Sequence, residues 1–490
     1  MDQEIRTQVI VVGAGNAGLS AAAAARQGGA DVIVLEKAPK EHRGGNSALT
    51  VHMLFAYDGV EDLKPLLGDL SPEDLGRMNE RVYGYSKEQY YDNIMNVTEG
   101  QSDPDLATIL VNKSYETVQW MRGLGHLWMP TFDNPISANA VSFDGGGYQM
   151  SNRWFAAFER LGGTVLYDTQ AVDLFQDAMG RVTGVRALGP AGFVNIHANV
   201  VIMAAGSFES NAEMRARYLG PLWDTVKLRG TPFNTGEGLQ MAMNIGALPN
   251  GSWSSCHSSP QDANRPAFDY PGEGKTGDFW SRYSYPYSVM VNLDGKRFVD
   301  EGETWRGLTY AKMGRAILAQ PRGQAFQIFD AKHRELNVIR GYDKAKGVKA
   351  DTLEGLAEKL GIKDVPAFLT TMHEYNNAVQ PGDFGAFRPD GVSAVGIEPP
   401  RRNWALKFDK APFEGFPVVC GMTFCYGGLK TTTTCQVTHT MDRPIPGLYA
   451  VGEMLGGLWH WNYPSGGGMM AGAVFGRIAG IHAAAEALAR

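Results

Sequence analysis

Residues 8–18, Gln8-Val9-Ile10-Val11-Val12-Gly13-Ala14-Gly15-Asn16-Ala17-Gly18, decide the fold. The apolar run Val9 to Val12 reads as a buried parallel strand. Gly13, Gly15 and Gly18 supply the tight turn, the close backbone approach to a pyrophosphate and the close helix packing of a βαβ unit. The alanine-rich stretch Leu19 to Ala25 continues as a helix whose N-terminus faces the phosphates. A second strand, Val32-Ile33-Val34-Leu35, ends at Glu36, eighteen residues beyond Gly18. An acid there takes both hydroxyls of an adenosine ribose, which points to FAD or NAD rather than a 2′-phosphorylated NADP.

Working outward, 490 residues exceed the usual single-domain size, so two domains or one large domain with an insertion are expected. A hydrophobic share of 44%, a charged share of 20% and 60 glycines describe a globular chain with many tight turns. The net charge of -7, without a long basic run, gives no electrostatic case for nucleic acid or an anionic membrane surface, and small-molecule partners are expected. The first residues carry Asp2 and Glu4 where an export signal needs basic residues, and no apolar run is long enough to span a bilayer. Cys256, Cys420, Cys425 and Cys435 form no CxxC pair, which argues against structural zinc, an iron-sulfur cluster or c-type haem; no metal is expected. A reducing cytoplasm fits these features.

Further along, Arg43-Gly44-Gly45-Asn46-Ser47 reads as a loop able to wrap a ring. Residues 80 to 125 are helical by their apolar spacing, with His126 after a glycine turn, and another helix holds Trp154, Phe155 and Phe158. Strands at Thr164 to Tyr167, Val182 to Ala187 and Gly192 to Ile196 make a meander, and the strand Val200 to Met203 ends in Ala204-Ala205-Gly206. From about Ser252 to Glu414 the composition shifts toward aromatics, prolines and charges with no further βαβ pattern. Within it, Ser288 to Val299 reads as a hairpin turning at Asp294-Gly295, with Asp300 and Glu301 placed to pair with Lys296 and Arg297 in solvent, and Thr352 to Asn377 reads as helical. Gly447 to Glu453 is a short buried strand, and Gly468 to Leu488 is a small-residue helix that returns the chain to the nucleotide fold.

Together these pieces resemble the fumarate reductase and succinate dehydrogenase flavoprotein family, most closely its FAD-dependent tricarballylate dehydrogenase branch and more distantly the ketosteroid Δ1-dehydrogenases. The resemblance covers nearly the whole chain. It rests on GAGNAG with Glu36, RGGNS at Arg43 to Ser47, the strand ending at Gly206, RGTPFNTGEG at Arg229 to Gly238, GKRFVDEG at Gly295 to Gly302, GLYAVGE at Gly447 to Glu453, and NYPSGGG at Asn462 to Gly468 with its helix to Arg477. It implies an α/β fold: a Rossmann-like FAD-binding domain of the glutathione-reductase type over 1–250 and 415–490, with an inserted α+β capping domain over 251–414. It carries FAD contacts to Gly13, Ala14, Gly15, Ala17, Gly18, Glu36 and Lys37, then to Gly44, Gly45, Asn46 and Ser47. The same roles fall on Val172, Ala205, Gly206 and Glu453. Covalent members attach FAD through a histidine several residues before the glycine pair; only His42 is near here, two residues before Gly44, so noncovalent FAD is expected.

The implied activity is hydride transfer between flavin N5 and one carbon of a C-C bond beside a carboxylate or carbonyl, in a dehydrogenase or reductase acting on CH-CH groups. By motif position His257 is the first substrate histidine and Arg306 the proton-shuttling arginine. The departures are Thr423 or Phe424 in place of a second histidine and Tyr463 in place of a second arginine, and they disfavour small dicarboxylates. Tyr463 with the backbone N–H of Gly467 resembles instead a carbonyl-polarising pair. Trp459 and Trp461 fit either a flat substrate or packing under the flavin, and His460 and Cys256 either site lining or core. The expected substrate is an organic acid or ketone. A cyclic-ketone dehydrogenase, a flavin electron-transfer subunit and, more weakly, a NAD-only dehydrogenase remain alternatives, with re-oxidation left to a separate electron acceptor or donor.

Overall fold

A computed structural model describes residues 3–131, 140–267 and 279–490. Strand Val9–Val12 lies inside a six-stranded sheet ordered Gln436–Thr438, Pro444–Ala450, Val200–Met203, Val9–Val12, Val32–Leu35, Thr164–Leu166. Val9 stands opposite Val32 on one side and Val200 on the other, both pairings parallel. Pro444–Ala450 and Thr164–Leu166 extend the parallel set, and the edge strand Gln436–Thr438 runs antiparallel. Such strands are apolar on both faces because both are covered. Val9, Val11, Val200 and Ile202 face a core shared with helices, whereas Ile10, Val12, Val201 and Met203 face a second core.

The first core is closed by helix Asn16–Gln27 against helix Gly467–Leu488. Small residues set their approach: a Cβ on Gly480 would meet the Ala21 carbonyl oxygen at 2.2 Å. Two polar side chains clamp the pair, Asn16 Nδ2 donating to Met469 O (2.8 Å) and Ser20 Oγ to Ala473 O (2.8 Å). The second core lies under a four-stranded sheet ordered Gln3–Arg6, Gly192–His197, Val182–Gly189, Gln170–Gln176. The meander therefore gains a strand that the sequence reading did not separate. Asp168, at φ 52, turns the chain after Thr164–Leu166, which stays in the parallel sheet while Gln170–Gln176 joins the meander.

A third sheet is built on the long strands Pro249–Asp262 and Phe413–Leu429, paired antiparallel from Pro249 opposite Leu429 to Asp262 opposite Val418. Lys227–Leu228, Gln324–Phe329 and Val348–Ala350 also pair with Phe413–Leu429, and Val289–Asn292 adds to Gln324–Phe329. Residues 251 and 414–415 thus fall within continuous strands. The Asp294-Gly295 turn forms, but its second arm holds only the single bridge of Arg297 to Val291. Lys296 is exposed as expected, but Arg297, Asp300 and Glu301 are buried, contrary to the expected solvated pairing. Glu301, fully buried, accepts from Arg297 Nη2 (2.7 Å) and Arg401 Nη1 (3.1 Å), because Arg401 crosses to the carbonyls of Ser288 and Pro286 and ties the turn to the 399–404 segment. Thr352 to Asn377 divides into helices Leu353–Leu360 and Val365–Ala378, broken where Gly361 takes φ +72. Among the described residues no helix is long and apolar enough to cross a membrane.

Candidate functional site

The carboxyl ends of the parallel strands open on one cavity of about 390 Å³, where ligands bind in open α/β sheets. Its floor is the glycine turn. A Cβ on Gly13, at φ +105, would meet the Ala204 carbonyl oxygen at 2.4 Å, and one on Gly18 the Gly13 carbonyl oxygen at 2.0 Å, so the turn and the next strand end are packed backbone to backbone. Gly15 differs: its Cβ would find nothing nearer than Ser47 Oγ at 3.6 Å and the Gly44 carbonyl oxygen at 3.8 Å, because that side of the turn faces the cavity. The helix that starts at Asn16 has no acidic residue in its first turn, leaving its positive end open to an anion.

At the end of the second strand, Glu36 is buried and accepts from Ala14 N (3.2 Å) and Ala38 N (2.8 Å). Burial pushes its carboxyl up to about 7, against the pull of those two amides. Lys37 turns to the 229–238 loop, donating to Thr235 Oγ1 (2.5 Å), Glu237 Oε1 (3.0 Å) and Phe233 O (3.3 Å). The RGGNS loop folds over the helix start, where Ser47 Oγ accepts from Asn16 N (3.1 Å). Asn46 joins four distant segments: its amide donates to Glu209 Oε1 (2.7 Å), Thr423 O (2.9 Å) and Glu453 Oε1 (3.2 Å), and its oxygen accepts from Thr231 N (2.8 Å). Thr231 lies in the quoted RGTPFNTGEG motif without a role, and Glu209 is not singled out in the sequence.

The other end of the cavity is cationic and aromatic. Arg306 is the first residue of helix Arg306–Leu318, whose opening turn holds no acid, so the guanidinium and the helix terminus both favour an anion there. Arg306 and Arg229 lie over the Tyr283 ring at 5.2 and 5.8 Å from its centroid, and all three line the cavity. Arg229 is oriented by Thr423 Oγ1 (3.1 Å) and Ser281 Oγ (3.2 Å). His52, bonded through Nε2 to Ser465 Oγ (2.9 Å), is held down to about 4 by burial and then by the charges of Arg306 and Arg229, so it is neutral at pH 7. The phenols of Tyr310 and Tyr463 meet at 2.5 Å, and burial pushes both pKa values up.

His257 is fully buried behind that wall, its ring 4.8 Å from Tyr310, 5.2 Å from Tyr463 and 5.5 Å from Phe424, and these three rings rather than His257 line the cavity. Ala205, Gly206, Glu453, Thr423 and Phe424 line it too. Val172 stands beside the lining residues Gln170 and Ala171, half-buried, and Gly44 and Gly18 shape the loops from beneath. The Gly467 N–H donates to Pro464 O (2.9 Å), since it closes the turn that starts the last helix, so it is not directed at a carbonyl shared with Tyr463. Trp459 packs edge-on against Tyr463, whereas Trp461 is 41% exposed under Arg315 and His460 is half-buried. Cys256 is core, and His126 is packed 4.4 Å from the Trp154 ring. Arg282 is held by Asp262 Oδ2 (2.7 Å) away from the cavity, and it fixes the backbone that presents Tyr283.

These residues fit an FAD. The glycine cradle, the uncapped helix terminus and the buried, protein-unpartnered Glu453 Oε2 offer backbone approach, anion stabilisation and a polar contact in one cavity. Sheet order and site define a dinucleotide-binding oxidoreductase of the flavin type. The chain belongs to the FAD binding domain family, matched over residues 8–56 and 76–470. It is 30% identical over 497 residues to the probable fumarate reductase Ifc3 of Shewanella frigidimarina (strain NCIMB 400), covering 98% of this chain and 75% of that protein. It is 25% identical over 573 residues to a 3-oxosteroid 1-dehydrogenase of Mycolicibacterium smegmatis, with 98% of each chain covered. Among solved structures, the open conformation of a flavocytochrome c3 fumarate reductase superposes with a TM-score of 0.72 at 29% identity, covering 99% of this chain and 79% of that one. The protein is an FAD-dependent oxidoreductase acting on C-C bonds.

Proposed function

We propose that this enzyme dehydrogenates or reduces a C-C bond adjacent to a carboxylate, with the substrate held between the FAD cradle and a capping region over 251–414. The observation that carries the reading is the convergence of Arg229 and Arg306 on Tyr283 at the far end of the cofactor cavity. Two guanidiniums at one aromatic ring, next to a neutral His52 and an open helix terminus, make a carboxylate clamp. Tyr463 in place of a second arginine disfavours small dicarboxylates; Arg229, arriving from another loop, restores a second cation. Di- and tricarboxylates of the tricarballylate kind therefore both fit.

In this reading Gly13, Ala14, Gly15 and Ala17 hold the diphosphate, with Gly18 packing the turn from beneath, and Glu36 and Lys37 hold the adenosine end. Gly44, Gly45, Asn46, Ser47, Val172, Ala205, Gly206 and Glu453 surround the ring and its chain. When bound, FAD supplies the hydride acceptor or donor. Arg229 and Arg306 orient the substrate carboxylate and stabilise charge at the neighbouring carbon, and the Arg306 guanidinium carries the proton exchanged there. Tyr463, steadied by Tyr310, anchors a second oxygen, and His257 positions those rings from behind. FAD is held noncovalently, so acid precipitation leaves the flavin in solution. Four buried cysteines without a disulfide support a reducing cytoplasm, and a separate partner exchanges the electrons.

Anaerobic titration of the holoenzyme tests the reading: tricarballylate or succinate bleaches the oxidised flavin, or fumarate restores colour to the reduced one. A second reading is favoured by the Tyr310 and Tyr463 phenol pair, which can polarise a ring ketone. If 3-oxosteroids alone change the spectrum, the carboxylate reading fails and this one stands.

A further inference from the structure

Behind the cradle, two carboxyl groups far apart in sequence converge on a single amide. Glu209 follows the strand Val200–Met203 and is fully buried, and Glu453 follows Pro444–Ala450 and lines the cavity. Asn46 Nδ2 donates to Oε1 of both, at 2.7 and 3.2 Å, and Asn234 Nδ2 adds a bond to Glu209 Oε1 at 2.6 Å. Among the described residues, no hydrogen bond reaches the buried Oε2 atom of either acid.

The Arg215 guanidinium beside the pair, on the helix packed against Glu209, is bonded to the backbone carbonyls of Glu209, Trp223 and Asp224, and Arg229 reaches Thr423 Oγ1. The Cys256 and Cys425 thiols nearby are pushed up by burial and stay neutral. Two buried anions sharing one amide are strongly unfavourable, and a proton between them removes both the repulsion and one unsatisfied oxygen. Consistently, burial raises Glu209 to about 7, and burial and then the adjacent Glu209 charge raise Glu453 well above the carboxylate range.

We propose that Glu209 and Glu453 hold one proton between their carboxyl groups, and that this proton belongs to the FAD site: the cavity binds the cofactor in the singly charged state of the pair and loses affinity as the proton leaves. The coupling is electrostatic. FAD brings a negative diphosphate and displaces water from Glu453, so a second charge on the wall opposes it. Linkage of one proton weakens FAD binding by up to tenfold per pH unit above the titration of the pair. Glu36 also lines the cavity and titrates near neutrality, but its anion favours the ribose hydroxyls, so its contribution has the opposite sign.

The test is the dissociation constant of FAD from the apoprotein, read by flavin fluorescence at pH 6, 7, 8 and 9, in the wild type, Glu209→Gln and Glu453→Gln. Each amide leaves a single charge in the pair. The slope of log Kd against pH is expected to be smaller in both variants than in the wild type by up to one unit, whatever the Kd of each variant at pH 6. Should one variant not fold, the other makes the same comparison. Equal slopes in the wild type and the folded variants overturn the proposal.

Discussion

Gly15 and Gly18 lie in the same turn, yet their substitution should fail in different ways. A methyl on Gly18 enters the protein itself, 2.0 Å from the Gly13 carbonyl oxygen and 3.2 Å from the Ala204 side chain, where neither backbone nor sheet can give way cheaply. Overpacking of this kind costs about 1–3 kcal/mol of stability, which lowers the melting midpoint by no more than roughly 2–4 °C for each kcal/mol. A methyl on Gly15 meets nothing nearer than 3.6 Å, at a φ of -75 open to any residue, so the apoprotein should be unchanged within about 0.5 kcal/mol. That methyl instead occupies the approach of the diphosphate. If the same 1–3 kcal/mol is lost from binding, the FAD dissociation constant rises about 5- to 150-fold. Thermal melts of apoprotein and fluorescence titration with FAD separate the two effects. A Gly15→Ala apoprotein as unstable as Gly18→Ala, or one that keeps full FAD affinity, would refute the placement of the cofactor against this turn.

Replacing Arg282 with Met leaves Asp262 charged and buried, and should destabilise the fold by about 3–5 kcal/mol in urea titrations; a loss below 1 kcal/mol would mean the pair contributes little. His126 is held down to about 3, chiefly by burial and then by Arg153 and Arg160, so the unfolded chain takes up its proton first as pH falls. Its contribution is full above about pH 6.5 and declines through acid, by about 2 kcal/mol between pH 7 and 5. Denaturation of His126→Gln at those two pH values should show that much less acid sensitivity than the wild type, and an equal pH response argues against the buried neutral imidazole.

The nucleotide half was readable because its determinants are local. Strand, glycine turn and Glu36 lie within thirty residues, and Glu36 accepts from Ala14, 22 residues before it, and from Ala38, two after it. Asn46 was read as a loop residue near the ring, but its role as a knot depends on Glu209, Thr423 and Glu453, which only the folded sheet brings near. Arg229 appeared in a quoted motif without a role, since its approach to Tyr283 depends on strand Lys227–Leu228 pairing with Phe413–Leu429. The hairpin charges misled for a related reason: local spacing places Arg297 beside Glu301, and only the distant Arg401 shows that the pair is buried. Gly467 likewise sits four residues after Tyr463, but its N–H belongs to the turn at Pro464.

The central claim is that Arg229 and Arg306 clamp a carboxylate beside the flavin. It is tested most directly by titrating the wild-type holoenzyme and Arg229→Leu with tricarballylate and with its neutral trimethyl ester, following the flavin spectrum. One charge-assisted contact contributes about 1.5–3 kcal/mol, so the acid should bind about 10- to 150-fold more weakly to Arg229→Leu, and the ester weakly and equally to both proteins. An acid response that survives Arg229→Leu unchanged, or an ester that binds the wild type as well as the acid does, would contradict the account.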